Sequence, residues 1–176
     1  MVLVTRNDII CANAGDSRSV LARSRSETQV EDLSEDHKPD NFHEKQRIHA
    51  AGGFVEENRV NGSLNLSRSM GDFEYKSNPA KNYKEQMVTV DPEIKKVARR
   101  DDDDFLVLAC DGIWDCLTSE ECVAMMREHM KGLSSKDKLS TTIEDMFEKI
   151  IATDILQSSG MGTDNMTAIV VEIKRK

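Results

Sequence analysis

The sequence predicts an α+β fold in which antiparallel sheets pack beneath helices, and two observations support this prediction. Short apolar and β-branched runs recur along the first part of the chain, and the two longest helical patterns follow one another late in the chain. Strands and helices that do not alternate strictly favour layered α+β packing over a parallel, doubly wound sheet. With 176 residues, the chain is long enough to bury a core as one domain, residues 1–176.

Composition excludes several classes of protein. The net charge of −8 argues against nucleic acid as the main partner and is compatible with cation binding. No apolar run approaches the ~18 residues of a membrane span, and no basic-then-apolar leader opens the sequence, so we expect no membrane insertion. The cysteines lack Cys-x-x-Cys spacing, which favours reduced, partly buried thiols over a disulfide framework. We therefore expect an intracellular, cytoplasmic protein.

The first part of the chain contains the signals of short strands and one helix. Apolar runs bounded by turn residues predict strands at residues 2–4, 9–12, 20–22 and 28–30. The Arg-Ser-Arg-Ser sequence at 23–26 predicts a solvated hairpin tip. A helix is predicted to begin after Asn41, with Glu44 closing a capping box, and to end at Gly52.

Short segments and loops come next. Residues around Val55, Val60 and 64–66 predict short strands, and the polar stretch 71–86 predicts a surface loop. Residues 87–97 predict two strands on either side of a proline turn. The acidic run 101–104 predicts an exposed turn rather than a metal site, because nothing in the pattern fixes its geometry.

The last part of the chain predicts a buried strand, two helices and a final strand. Residues 105–110 form a continuous apolar run, typical of a strand covered on both faces. Thr118 and Glu121 occupy capping-box positions for the first helix. The second helix is predicted over about residues 136–155, and the last strand over 166–173. The buried side of the first helix is predicted to contain Cys122, Val123, Met126 and Met130.

Aspartates recur where predicted strands end. NAGDSR contains Asp16, ACDGIWD contains Asp111 and Asp115, and GTDNMT contains Asp164. An aspartate at the end of a buried strand is held rigidly, and a neighbouring glycine allows close approach of backbone or ligand. Each aspartate alone has a simpler interpretation as a turn-forming residue. Taken together from the residues alone, turn formation and metal binding are about equally favoured.

The donor types at these positions indicate which metal they would bind. Carboxylates gathered in one place repel each other unless a cation neutralises them. No histidine or cysteine has comparable spacing, so hard oxygen ligands favour Mg²⁺ or Mn²⁺.

Six motifs occur in a fixed order: GDSR, DHKP, EKQRIHAAGG, VNGSLNLSRSMGD, ACDGIWD and GTDNMT. In these motifs the sequence resembles the type-2C, metal-dependent Ser/Thr protein phosphatases, from about Ile9 onward. The resemblance implies an αββα sandwich of two antiparallel sheets flanked by helices. It also implies dephosphorylation of phosphoserine and phosphothreonine in proteins by a water activated by Mn²⁺ or Mg²⁺.

The resemblance implies a role for each aspartate. Asp111 and Asp164 would be ligands of one central ion, and Asp16 and Asp115 would join Asp111 around a looser third ion. Asn165 and Gly112 would support the site without touching metal.

The resemblance also implies a flap-like region at residues 36–72, beside the cleft. Lys38, Arg47 and Arg68 in this region are candidates to pair with acidic groups of a phosphoprotein, with ordinary solvated charges as the alternative.

The family's Asp-Gly-His-Gly-Gly-type loop, which supplies the bridging aspartate and the histidine acid, has no match here, because Asp-Gly occurs only at Asp111-Gly112. The family's phosphate-binding arginine also has no match. We therefore expect a domain that lacks its N-terminal strands, is inactive alone, and forms a strand-exchanged dimer or binds an N-terminal fragment. The alternative function is a non-catalytic phosphatase-like module that binds phosphoproteins or a kinase.

Overall fold

The computed structural model describes residues 1–24, 30–132 and 139–174. The chain divides into two compact units. The first unit contains Met1, Ile10–Asp16 and Ser34–Lys95, and the second contains Val2–Ile9, Ser17–Leu33 and Lys96–Lys176. Within the described residues, no helix has both the length and the apolar character that a bilayer crossing requires.

Nine strands and four α-helices are present in the described residues. The strands are β1 (Val2–Val4), β2 (Asp8–Asn13), β3 (Arg18–Arg23), β4 (Val30–Asp32), β5 (Val55–Glu56), β6 (Arg59–Val60), β7 (Glu93–Ala98), β8 (Asp103–Ala109) and β9 (Ala168–Glu172). The helices are α1 (Phe42–Ala50), α2 (Asp111–Trp114), α3 (Ser119–Gly132) and α4 (Ser140–Ile150), with a 3₁₀ turn at Phe73–Lys76. Three sheets result, in the orders β1-β2-β7, β4-β3-β8-β9 and β5-β6.

The four-stranded sheet of the second unit is built around β8. This strand pairs antiparallel with β3 on one side and with β9 on the other, so that Val107 lies opposite both Val20 and Val170. Phe105, Leu106 and Val107 are all buried, as expected for a central strand with both faces covered. The predicted strand at 105–110 is therefore confirmed, with its start two residues earlier.

Helices α3 and α4 supply the rest of the second unit's core. Cys122, Val123 and Met126 of α3 and Met146 of α4 pack against one face of the sheet. Thr118 and Glu121 form the predicted capping box: the Glu121 amide donates to the Thr118 hydroxyl, and the Thr118 amide donates to the Glu121 carboxylate. Antiparallel sheets with covering helices confirm the predicted α+β class.

The first unit has a smaller core. Ile48 of α1, Val60 of β6 and Val88 are completely buried together. Val60 pairs with Val55 in the β5-β6 hairpin and forms a further bridge to Leu64. The hairpin turns at Glu57 and Asn58, both with positive φ.

Three local predictions in the first part of the chain are wrong, each because a side chain has a partner that the local pattern does not show. Asn41 makes no side-chain cap bond, and its amide group donates instead to the Asp36 carbonyl oxygen. Glu44 is buried among arginines and cannot close the capping box. Arg23 is buried rather than at a solvated tip; residues 25–29, which include the rest of that tip and part of the predicted 28–30 strand, lie outside the described residues.

Three predictions for the later part of the chain also differ from the structure. The acidic run is not uniformly exposed, because Asp103 begins β8 and is buried with its carboxylate 3.0 Å from Arg23 Nε. The first of the two strands predicted at 87–97 is reduced to a single bridge between Thr89 and Arg68. Helix α4 is shorter than predicted: it ends at Ile150, and residues 136–138 of the predicted helix lie outside the described residues.

Candidate active site

Asp111 is held where β8 passes into the one-turn helix α2. Cys110 is the extended residue before the helix, and Asp111 is its first residue. The buried Trp114 donates from its indole Nε1 to the carbonyl oxygen of Ala109 at 2.7 Å, which closes this turn back onto the strand. Trp114 thus packs in the core of the second unit, and Asp111 lies just beyond the end of the strand.

Asp164 is brought next to this turn by the pairing of β8 with β9. The ladder continues past the strands, since the Cys110 amide donates to the Thr167 carbonyl oxygen at 3.1 Å. The Cys110 sulfur lies 3.4 Å from the Asn165 carbonyl oxygen and 3.3 Å from the Thr167 amide. A Cβ placed on Gly112 would lie 3.5 Å from the Asp164 Cβ. The structure therefore places the loop that contains Asp164 beside the turn that contains Asp111.

Gly112 permits this close approach. A Cβ at this position would lie 2.4 Å from the carbonyl oxygen of Asn165, closer than real contacts allow. The predicted supporting residues Gly112 and Asn165 thus touch each other directly. Their role here is steric: the absent side chain lets the Asp164 loop rest against the Asp111 turn.

Asp115 lies one helical turn beyond Asp111. Its amide donates to the Asp111 carbonyl oxygen at 2.7 Å, and its side chain is exposed. Residues four apart in a helical turn share a face, so Asp111 and Asp115 occupy the same side of this turn. Nearby, the Arg18 guanidinium stacks 5.1 Å from the Trp114 ring and donates to the Ser119 hydroxyl.

Asp16 belongs to the first unit, and its carboxylate forms an ion pair with a lysine side chain. Its carboxylate accepts from Lys38 Nζ at 2.7 Å, and it is largely buried. The preceding Gly15 has φ +136°, and its amide lies 3.2 Å from Nδ1 of the buried His37. Lys38, a candidate contact for substrate, is thus an internal partner of a predicted metal ligand.

The other two candidate substrate contacts, Arg47 and Arg68, are also bound internally. Both donate to the carboxylate of Glu44, at 2.7 and 2.6 Å, and Ser67 donates to it as well. Burial alone would raise the pKa of Glu44, but the hydrogen bonds from Arg68 and Ser67 and the charge of Arg47 lower it to about 2.

Sequence reasoning missed this role of Glu44, although one signal was present. Glu44 is four residues from Ile48, and these two are the buried residues of α1. That spacing places Glu44 on the buried face of the helix.

The carboxylates at these positions fit Mg²⁺ or Mn²⁺, but they do not form a complete metal site. Asp111 and Asp164 offer only carboxylate oxygens, which suit Mg²⁺ or Mn²⁺. Across residues 1–24, 30–132 and 139–174, however, no group of three or more His, Cys, Asp or Glu residues is arranged to hold a metal ion. The convergence of Asp16 with Asp111 and Asp115, and the flap-like role of residues 36–72, stay predictions.

Fold and motifs together define a class of protein, the type-2C protein phosphatases. The family model for Protein phosphatase 2C matches residues 1–154. The chain belongs to the protein phosphatase 2C family.

Relatives and solved structures agree with this assignment. The chain is 47% identical to "Probable protein phosphatase 2C 21" of Arabidopsis thaliana, over 99% of this chain and 47% of that protein. It is 46% identical to "Protein phosphatase 2C homolog 2" of Schizosaccharomyces pombe, over 97% of this chain and 44% of that protein. A crystal structure of a phosphatase from Toxoplasma gondii superposes with a TM-score of 0.77 and 29% identity, over 96% of this chain and 50% of that one. The chain spans about half the length of the curated relatives it matches.

Proposed function

We propose that this chain carries part of the active site of a protein serine/threonine phosphatase that requires Mn²⁺ or Mg²⁺. Its substrates are phosphoproteins. The observation that carries the proposal is the contact between Gly112 and Asn165, which sets the Asp111 turn beside the Asp164 loop. Family membership supplies the reaction class.

The proposed roles are those that the family resemblance implies for each aspartate. Asp111 and Asp164 supply oxygen ligands to one ion, and Asp115 and Asp16 supply ligands to a looser one. The chemistry that bound ions contribute is activation of a water for attack on phosphorus. Gly112 and Asn165 keep the two loops in contact.

We propose that the chain alone has no appreciable turnover. Mg²⁺ requires near-octahedral coordination, and two neighbouring carboxylates supply only part of it. The family's Asp-Gly-His-Gly-Gly-type loop, whose aspartate would bridge two ions, has no counterpart within these 176 residues. Weak cation binding without catalysis is the expected behaviour.

Phosphatase activity on a small aryl phosphate in Mn²⁺ tests both the proposed metal site and the proposed inactivity of the chain alone. The chain is assayed alone and joined to a family N-terminal segment that contains the bridging loop. We expect turnover only in the joined protein, with loss in Asp111→Asn and retention in Asp101→Asn, which changes an exposed carboxylate elsewhere. Robust turnover by the chain alone, lost in Asp111→Asn, would overturn the claim of inactivity. Equal activity of the two joined variants would overturn the proposed site.

A second candidate function is a non-catalytic phosphatase-like module that binds phosphoproteins or a kinase. The ion pair between Lys38 and Asp16, which neutralises a proposed metal ligand with a side chain of the protein, favours it. The joined protein also discriminates between the two: a module of this kind binds a phosphopeptide but stays inactive after the loop is supplied.

A further inference from the structure

Cys110 lies where β8 ends and α2 begins, and its backbone leaves the regular sheet pattern at this point. In an antiparallel ladder, the two residues of a hydrogen-bonded pair exchange two N–H···O=C bonds. The Cys110 amide makes the first of these bonds, to the Thr167 carbonyl oxygen at 3.1 Å. The Cys110 carbonyl oxygen, however, accepts from the Ile113 amide at 3.1 Å, within the α2 turn. The Thr167 amide therefore needs a different acceptor.

The thiol of Cys110 takes the place of that carbonyl oxygen. The Thr167 amide donates to the Cys110 sulfur at 3.3 Å, and the thiol donates to the Asn165 carbonyl oxygen at 3.4 Å. A thiol is both a weak donor and a weak acceptor, so one side chain can serve both backbone groups. The side chain at an N-cap position commonly bonds to its own helix, whereas this thiol bonds to the loop before β9.

These contacts lead from Cys110 to Asp164 through a single residue. The Asn165 amide donates to Oδ1 of Asp164 at 2.6 Å. The Asn165 carbonyl oxygen, which accepts from the thiol, also lies against Gly112. The thiol thus holds the residue that bonds to the Asp164 carboxylate and contacts the Asp111 turn.

We propose that Cys110 is a positioning residue for the metal site, because its thiol fixes the Asn165 loop and through it the Asp164 carboxylate. This inference rests on the proposed function, in which Asp111 and Asp164 bind one ion. Loss of a group that orients a metal ligand commonly weakens metal binding by about 10-fold to 100-fold. Because the bonds of a thiol are weak, we expect an effect near the lower end of this range.

Two substitutions at Cys110 separate hydrogen bonding from packing. Cys110→Ser keeps a donor and an acceptor, whereas Cys110→Val has a similar size but can neither donate nor accept. The Mn²⁺ dissociation constant is measured from paramagnetic broadening of the Gly112 amide. It should rise about tenfold in Cys110→Val and stay within about threefold of wild type in Cys110→Ser. Cys116→Val, at another half-buried free cysteine in the same segment, is the matched control and should leave it unchanged.

Hydrogen exchange of the Thr167 amide tests the contact itself in the absence of metal. Exchange should be about threefold faster or more in Cys110→Val and near the wild-type rate in Cys110→Ser, because only the valine removes the acceptor. Exchange at the buried Val107 serves as the reference for any change in overall stability.

The outcomes distinguish this inference from the proposed function. Equal Mn²⁺ affinity of wild type and Cys110→Val, or equal Thr167 exchange in the serine and valine variants, would overturn the positioning role alone. A wild-type chain that shows no Mn²⁺-dependent broadening at Gly112 would overturn the proposed metal site and this inference with it.

Discussion

Gly112 and Asn165 touch so closely that a Cβ on the glycine would lie 2.4 Å from the Asn165 carbonyl oxygen. This contact joins the ends of two paired strands, β8 and β9, and positions one predicted metal ligand on each side. Backbone rather than a flexible side chain blocks the space. Any side chain at position 112 must therefore push the two loops apart.

Gly112→Ala should destabilise the chain by about 1–3 kcal/mol, because overpacking forces a backbone shift. Urea unfolding monitored through Trp114 measures the change. Gly132→Ala is the control, since a Cβ there meets nothing within 4 Å. Equal unfolding midpoints for Gly112→Ala and wild type would contradict the contact.

Glu44→Gln should destabilise the first unit by about 2–3 kcal/mol. Arg47 and Arg68, two partly buried arginines, share the negative charge of Glu44. The substitution removes this charge and leaves the two guanidinium groups without a full counter-charge. Glu74→Gln, at an exposed position, is the control and should change stability by less than about 0.5 kcal/mol. Similar unfolding free energies for the two variants would show that the arginine cluster does not depend on Glu44.

Acid should lower the free energy of unfolding, partly through protonation of Glu44. The folded pKa of about 2 lies below the usual 4.5, so the unfolded chain binds the proton first as pH falls. The stabilisation is present above pH 4.5 and is lost as pH decreases toward 2, by up to about 3 kcal/mol. The difference in unfolding free energy between wild type and Glu44→Gln should therefore shrink from pH 5 to pH 3. A difference that is independent of pH would rule this carboxylate out as the cause.

Thiol reactivity should divide the cysteines into two pairs. All four are free, with Cys11 and Cys122 buried and Cys110 and Cys116 half-buried. Burial raises the pKa of Cys122 to about 12, so its reactive thiolate is scarce at neutral pH. An aromatic disulfide reagent should label Cys110 and Cys116 quickly and the other two only after denaturation. Rapid labelling of Cys122 in the native protein, identified by mass spectrometry, would contradict this packing.

The parts of the fold that the sequence predicted are those set by local pattern. The apolar run before Cys110 specifies a central strand, and Thr118 with Glu121 specifies the start of α3, because both signals act within a few residues. The one-turn helix at Asp111–Trp114 was not predicted, since four residues are too few to show helical periodicity.

The buried ion pairs were not predictable in this way. Arg23 meets Asp103 across 80 positions of sequence, and Arg68 meets Glu44 across 24. Isolated charged residues give no local sign of such partners, and their default interpretation is a solvated surface. For the same reason the sequence offers Lys38 only as a candidate substrate contact or a solvated charge, whereas its ammonium group pairs with Asp16.

Mn²⁺ titration followed by amide NMR tests most directly whether Asp111 and Asp164 hold a cation. Paramagnetic broadening should appear first at the amides of Cys110, Gly112 and Asn165, and it should be lost in Asp111→Asn and in Asp164→Asn but kept in Asp101→Asn. Broadening that begins at Asp101 or Asp102, or that is unchanged in Asp111→Asn, would contradict a metal site at the ends of β8 and β9.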